Sequence, residues 1–183
     1  NMTGAVLWRD GDRIYLFSAL SAAATWGNMI ICLRYSDDSG ATWSKPEIII
    51  PDHATGQVLP INVAFRGSDG SMLVPCDDGA NSQTVLMESC DEGTNWKLTE
   101  GRIEGIHAAV APLGDGRILA FGRRKGGDPR PMPQSISEDC GTHWDVADSP
   151  FDAVSGGQRP VMLRLTEGPL ALFSFTKGMD AHD

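Results

Sequence analysis

Followed for hydrophobic and polar positions, the chain breaks into short apolar or alternating runs separated by turn-forming residues, and no stretch keeps a helical period. The first set of runs is Ala5–Arg9, Arg13–Leu20, Met29–Ser36 and Thr42–Ile50. A second set lies at Val58–Arg66, Ser71–Cys76, Gln83–Ser89 and Asn95–Thr99, and a third at His107–Leu113, Arg117–Arg123, Met132–Ser137 and His143–Val146. Arg159–Leu165 and Leu170–Thr176 open a fourth. Turn signals, Gly67-Ser68-Asp69-Gly70 and Gly114-Asp115-Gly116, separate the first two runs of the second and third sets. Runs of this length between such punctuation predict β-strands.

The last two runs of each complete set are joined by an eight-residue stretch of one pattern. These are Ser36-Asp37-Asp38-Ser39-Gly40-Ala41-Thr42-Trp43, Ser89-Cys90-Asp91-Glu92-Gly93-Thr94-Asn95-Trp96 and Ser137-Glu138-Asp139-Cys140-Gly141-Thr142-His143-Trp144. All three share Ser-x-Asp-x-Gly-x-x-Trp, and a repeat near 50 residues is the signature of a propeller-like or solenoid array. The Asp carboxylate can accept bonds from backbone N–H groups further along, Gly supplies a positive φ, and the Trp ring is available to a neighbouring repeat. The motif therefore reads as a structural staple of a tight turn. Four antiparallel strands in each repeat make a propeller blade. We expect an all-β chain, a β-propeller of four-stranded antiparallel blades over 1–50, 51–100 and 101–148 with a partial blade at 149–183. About three and a half blades imply either a piece of a longer chain or two copies pairing to close a ring.

Up-and-down connectivity also sorts the loops onto two faces. The repeated turn lies on one, and the opposite face collects the inter-blade segments and the loops between second and third strands. Arg123, Arg124, Lys125, Arg130, Arg159 and Lys177 fall on or next to that second face, although the chain carries a net charge of −9. Cations gathered at one end of an acidic propeller predict an anion-binding site there. Arginine's planar fork suits a carboxylate in two-point contact. The same face offers Asp77 and Asp78 for general acid–base work, His107 at the start of an inner strand, and Trp26 as a stacking platform for a sugar.

Composition narrows the partners. The acidic balance argues against nucleic acid, no apolar run is long enough to span a bilayer, and the carboxylates lack calcium-loop spacing, so neither metal nor cofactor is expected. Cys32, Cys76, Cys90 and Cys140 lie far apart without a C-x-x-C pair and read as free thiols. Residue 1 is Asn, so the N-terminus is silent about targeting, and a secreted or periplasmic setting stays open.

The repeated octapeptide resembles the Asp box of the bacterial neuraminidase repeat, found across the sialidase-like superfamily. Gly105 to Arg123, with Val110, Leu113, Asp115-Gly116-Arg117 and Leu119, is similar to a sialidase segment that ends in an arginine of the triad gripping the sialic acid carboxylate. The resemblance implies a six-bladed propeller and gives Arg123 that role. It also puts His107 where sialidases carry the Glu that activates a tyrosine nucleophile, and His changes charge near neutrality. The only tyrosines, Tyr15 and Tyr35, sit inside strand patterns of the first repeat. Gly156-Gly157-Gln158-Arg159-Pro160-Val161 resembles a further sialidase stretch, with Gly157 in a Cys slot. The resemblance implies a glycoside hydrolase acting on an acidic sugar, sialic or uronic. Arg123, Arg124, Arg159, Gln158 and Trp26 would bind it, and His107 with Asp77 or Asp78 would do acid–base work. A polysaccharide lyase on uronic acids and a non-catalytic carbohydrate-binding propeller are the alternatives.

Overall fold

The computed structural model describes residues 2–21, 29–51, 57–124, 128–154 and 157–175, and within them the expected runs are strands and none is helical. The first sheet places β1 (Met2–Asp10), β2 (Arg13–Leu20), β3 (Ile30–Ser36) and β4 (Glu47–Ile50) side by side in chain order. The second contains β5 (Val58–Pro60), β6 (Phe65–Arg66), β7 (Met72–Asp78), β8 (Gln83–Ser89) and β9 (Lys97–Leu98). The third is β10 (Ile106–Pro112), β11 (Ile118–Arg123), β12 (Pro133–Ser137) and β13 (Asp145–Asp148), and β14 (Val161–Arg164) pairs with β15 (Leu170–Phe173). Every pairing among the described strands is antiparallel, and apart from β5, which skips the two-residue β6 to pair with β7, each joins chain neighbours, the up-and-down order of propeller blades. No helix among the described residues is long and apolar enough to cross a membrane.

The three repeated octapeptides are superimposable in their bonding. In the first, Ser36 Oγ donates to Asp38 Oδ1 at 2.7 Å and accepts from Gly40 N at 2.8 Å, while Thr42 N donates to Asp38 Oδ1 at 2.8 Å. Asp91 and Asp139 do the same for Asn95 N and His143 N. The Trp indole N–H reaches back to the Gly carbonyl in all three, at 3.1, 2.9 and 3.2 Å. The turn has two consecutive left-handed residues, since Ser39, Glu92 and Cys140 have φ of 58°, 57° and 54° directly before their glycines. The pattern pointed only to the glycine, because any residue type is written at the position before it.

The core lies between blades rather than within one. Side chains alternate along a strand, so Met72 and Val74 of β7 face the first sheet with Phe17 and Ile31, whereas Leu73 turns to the third sheet with Val110 and Ile118. All seven residues of β7 are consequently buried. The Trp rings extend this scheme: Trp96 meets Phe17 of the preceding sheet edge-on at 5.3 Å, and Trp144 packs on the second sheet's cluster. Phe121, Met132 and Met162 join the third sheet to β14–β15. Each fully buried chain of that size is worth about 1.5–3 kcal/mol, so blade-to-blade contact holds the array together.

Two expected runs differ. The run Val58–Arg66 is divided into β5 and β6 because Asn62 leaves the ladder, its Oδ1 accepting from Val63 N at 2.9 Å. The outermost strands begin later than their Trp residues: Ser44 Oγ takes Tyr35 N at 3.0 Å and Pro46 has no N–H to give, so β4 starts at Glu47. All four cysteines are free, with Cys32 and Cys76 buried.

Candidate functional site

The repeated turns lie at the end where β3, β8 and β12 finish, so the second-to-third-strand loops and the inter-blade segments share the other end. A pocket of about 340 Å³ opens there, lined by Gln57, Leu59, Asp77, Gly79, Ile106, His107 and Arg159. These residues come from three consecutive blades.

His107 owes its position to a defect in β10. Pairing with β11 shifts register between Ile106 and Ala109, and His107 in that bulge has φ 57°, a left-handed conformation that costs a non-glycine residue about 1–3 kcal/mol. The bonds that β11 does not supply come from the neighbouring blade. Asp77 Oδ1 accepts from His107 N at 2.7 Å, and Asp77 Oδ2 pairs with His107 Nδ1. Thr84 is the cross-strand partner of Asp77, and its Oγ1 donates to Gly105 O at 3.0 Å and accepts from Ala108 N at 3.2 Å. Asn62 Nδ2 donates to Ala108 O at 3.1 Å and to Pro160 O at 3.4 Å, tying the carrier of His107 to the segment that carries Arg159.

The Asp77 side chain is 2% exposed and the His107 ring 14%. A carboxylate accepts only, so Nδ1–H donates to Asp77 Oδ2, and Nε2 is the ring nitrogen left without that partner. The result is an imidazole fixed in orientation and tautomer by a buried acid.

Arg123 ends β11 opposite Ile106, a lining residue, and stands behind the pocket wall rather than in its lining. Its guanidinium is held below the ordinary arginine value, first by burial; Asp77 opposes that shift and the Arg159 charge adds to it. Neither Arg123 nor Arg159 has an acidic group within salt-bridge distance among the described residues. Two glycines make the placement possible. A Cβ on Gly122 would lie 2.0 Å from Glu104 O, and one on Gly105 (φ +88°) 2.7 Å from Arg123 O, so the two backbones meet without side chains between them.

Other candidates separate from this group. Asp78 points to the opposite side of β7, where Asn81 Nδ2 donates to it at 2.8 Å and Arg102 approaches at 3.9 Å. Arg124 is buried in a structural role: its Nε donates to Pro131 O at 3.0 Å, and it pairs with Asp148 and Glu104. Arg130 is bound to Asp128 at 2.7 Å, and that bond, with Arg130 N, holds the Asp128 carboxyl at about 2. Gln158 is buried next to Arg159 in sequence and does not line the pocket. Trp26, Lys125 and Lys177 lie outside the described residues. Tyr15 is a core residue stacked on Trp8 at 5.4 Å, and the Tyr35 ring sits under Arg13 at 4.2 Å, so neither reaches the pocket. Among the described residues no group of three or more His, Cys, Asp or Glu could hold a metal.

Sequence reading missed Gln57, Leu59, Thr84 and Asn62. Asn62 carried a faint signal, a polar residue inside the apolar run Leu59–Ala64; Thr84 carried none, because Thr is an ordinary strand residue.

Comparison with known proteins identifies the family and the fold. The model of the BNR repeat-like domain matches residues 1–174. An anhydrosialidase of Macrobdella decora is 26% identical over 102 residues, half of this chain and 13% of that protein. Among solved structures, a Hadza microbial sialidase superposes with a TM-score of 0.71 at 16% identity, over 94% of this chain and 39% of its own. Trypanosoma rangeli sialidase gives 0.67 at 20% over 93% and 33%, and it has been solved with sialic acid bound. A Dyadobacter fermentans protein of unknown function gives 0.66 at 19%, over 94% and 56%. The chain thus spans about a third of the sialidases it resembles in fold.

Proposed function

The chain belongs to the BNR repeat-like domain family, whose fold it shares with sialidases, and on that footing we propose that it acts on an acidic carbohydrate at the His107 pocket. The observation that carries the reading is the pair Arg123 and Arg159 beside an Asp-held histidine. Burial and the nearby Arg159 charge raise the cost of charging the half-buried Arg123 guanidinium. A bound carboxylate would offset that cost with charge-assisted, two-point hydrogen bonds. Leu59 and Ile106 offer apolar walls to the carbon face of a ring, and the Gln57 amide a polar contact. Sialic acid, the ligand of the Trypanosoma rangeli enzyme, and uronic acids both present a carboxylate on a sugar ring.

In the hydrolase reading, His107 Nε2 exchanges a proton with water or with the glycosidic oxygen, and Asp77 keeps the ring oriented and stabilises its charged form. Positioned acid–base groups of this kind contribute about 10²–10⁴-fold. Asp77 then works through His107 rather than on the leaving oxygen, because the histidine occupies both of its carboxylate oxygens.

The imidazole in place of a carboxylate favours a second reading. In a uronate lyase Nε2 would remove the proton α to the arginine-held carboxylate, and the electron pair would expel the β-oxygen to leave a C=C bond. Incubating the chain with sialosides and with uronate oligosaccharides tests both. Free sialic acid or a reducing uronic end without ultraviolet absorbance supports hydrolysis, and an absorbing unsaturated product supports elimination. Binding without turnover would leave a carbohydrate-binding propeller, and neither binding nor turnover of any acidic sugar would overturn the proposal.

A further inference from the structure

We propose that Thr84 is a positioning residue for His107, holding it in its left-handed bulge from the neighbouring blade; the inference rests on the reading of His107 as the acid–base group of the pocket. Thr84 is completely buried and belongs to a different blade from His107, 23 positions earlier in the chain. Its hydroxyl donates to Gly105 O and accepts from Ala108 N, so it bonds on both sides of the two residues that make the bend. Its backbone continues the clamp, with Thr84 N donating to Ile103 O at 3.2 Å and Ile103 N to Thr84 O at 2.9 Å. These bonds substitute for the ladder that β10 and β11 abandon between Ile106 and Ala109.

A hydroxyl is needed because the position must present a donor and an acceptor at once. Valine has the same shape and presents neither, which would leave Gly105 O and Ala108 N buried and unpaired. The segment would then relax toward the regular strand that a non-glycine residue prefers, turning the His107 amide and ring away from Asp77. Asp77 and Thr84 face each other across β7 and β8, so one cross-strand pair sets both the backbone and the ring of a residue on the next blade.

The test reads His107 directly and needs no ligand. In proton NMR of the 183-residue chain, the imidazole Nδ1–H held by Asp77 should give a slowly exchanging downfield signal, assigned by its loss in His107→Asn. Thr84→Val should lose that signal while retaining the β circular dichroism of the parent, and Thr84→Ser should restore it. A folded Thr84→Val with the signal unchanged would reduce Thr84 to a packing residue and overturn the proposal. Should Thr84→Val not fold, amide exchange of the unaltered chain decides: Ala108 N–H must be as protected as Val110, and exchange at the rate of an exposed turn amide refutes it. Failure of acidic sugars to bind would remove the carbohydrate reading without touching these measurements.

Discussion

Asp77 grips His107 at two places, its backbone N–H at 2.7 Å through Oδ1 and its ring Nδ1 through Oδ2, across the boundary between two blades. One buried carboxylate thereby compensates a strained backbone and orders a titratable side chain. Asp77→Asn keeps the volume and replaces one acceptor oxygen by a donor, which breaks one of the two contacts. We expect turnover of an acidic glycan to fall at least about 10²-fold, the lower end of acid–base contributions, with ligand affinity changed by less than about 3-fold. Equal losses in affinity and turnover would show that Asp77 shapes the pocket and does not act through His107.

Arg123 and Arg159 make the second prediction. Hydrogen bonds to charged groups contribute about 1.5–3 kcal/mol each, so Arg123→Gln should weaken binding of a sugar acid by about 10–100-fold in titration calorimetry. Arg159→Gln should do the same to a smaller extent, because its side chain is exposed. Neither change should alter binding of the corresponding neutral sugar alcohol. A parallel loss for the neutral ligand would contradict carboxylate recognition.

Gly122 should be intolerant for a backbone reason. An alanine Cβ would sit 2.0 Å from Glu104 O, and no side chain there can rotate aside. Gly122→Ala should lower unfolding stability by about 1–3 kcal/mol, the usual cost of overpacking. It should also weaken sugar-acid binding through displaced Arg123. Gly157→Ala is the control, since nothing lies within 4 Å of its Cβ. Equal denaturation midpoints for the two variants would refute the close approach.

The acid limb of stability should report the repeated turns. Hydrogen bonds from Thr42 hold the Asp38 carboxyl at about 2, and those from His143 hold Asp139 at about 2. An unfolded aspartate titrates near ~3.9, so the folded value is the lower one. These groups therefore contribute stability that is complete above pH ~4 and is lost as pH falls toward 2. Urea midpoints measured from pH 5 to 2 should decline over that window. Asp139→Asn should be less stable at pH 5 and decline less steeply, and an unchanged slope would refute the assignment.

Much of the fold was written locally. The octapeptides at 36, 89 and 137 specify their own turns, because the Asp, Gly and Trp that make each one are separated by only a few residues. Antiparallel order followed from short connections, and strand direction placed His107, Arg123 and Arg159 at one end before any contact was known. The limits were also local: the pattern at 58–66 read as one strand because its alternation does not reveal that Asn62 turns inward toward Ala108 O and Pro160 O.

The chain itself therefore determined the blades, their order and the face where cations gather, since those depend on periodicity and on bonds within a turn. Tertiary structure decided which of the described cations are paired with acids. Arg124 and Arg130 are bound to Asp148 and Asp128, while Arg123, which feels the Arg159 charge, and Arg159 itself form no salt bridge among the described residues. It also decided that Asp77 rather than Asp78 meets His107, a choice between adjacent strand residues on opposite faces. The reason is geometric: Asp77 lies 30 residues from His107 and Thr84 lies 23 away. Only packing one blade on the next brings their side chains to the bulge in β10.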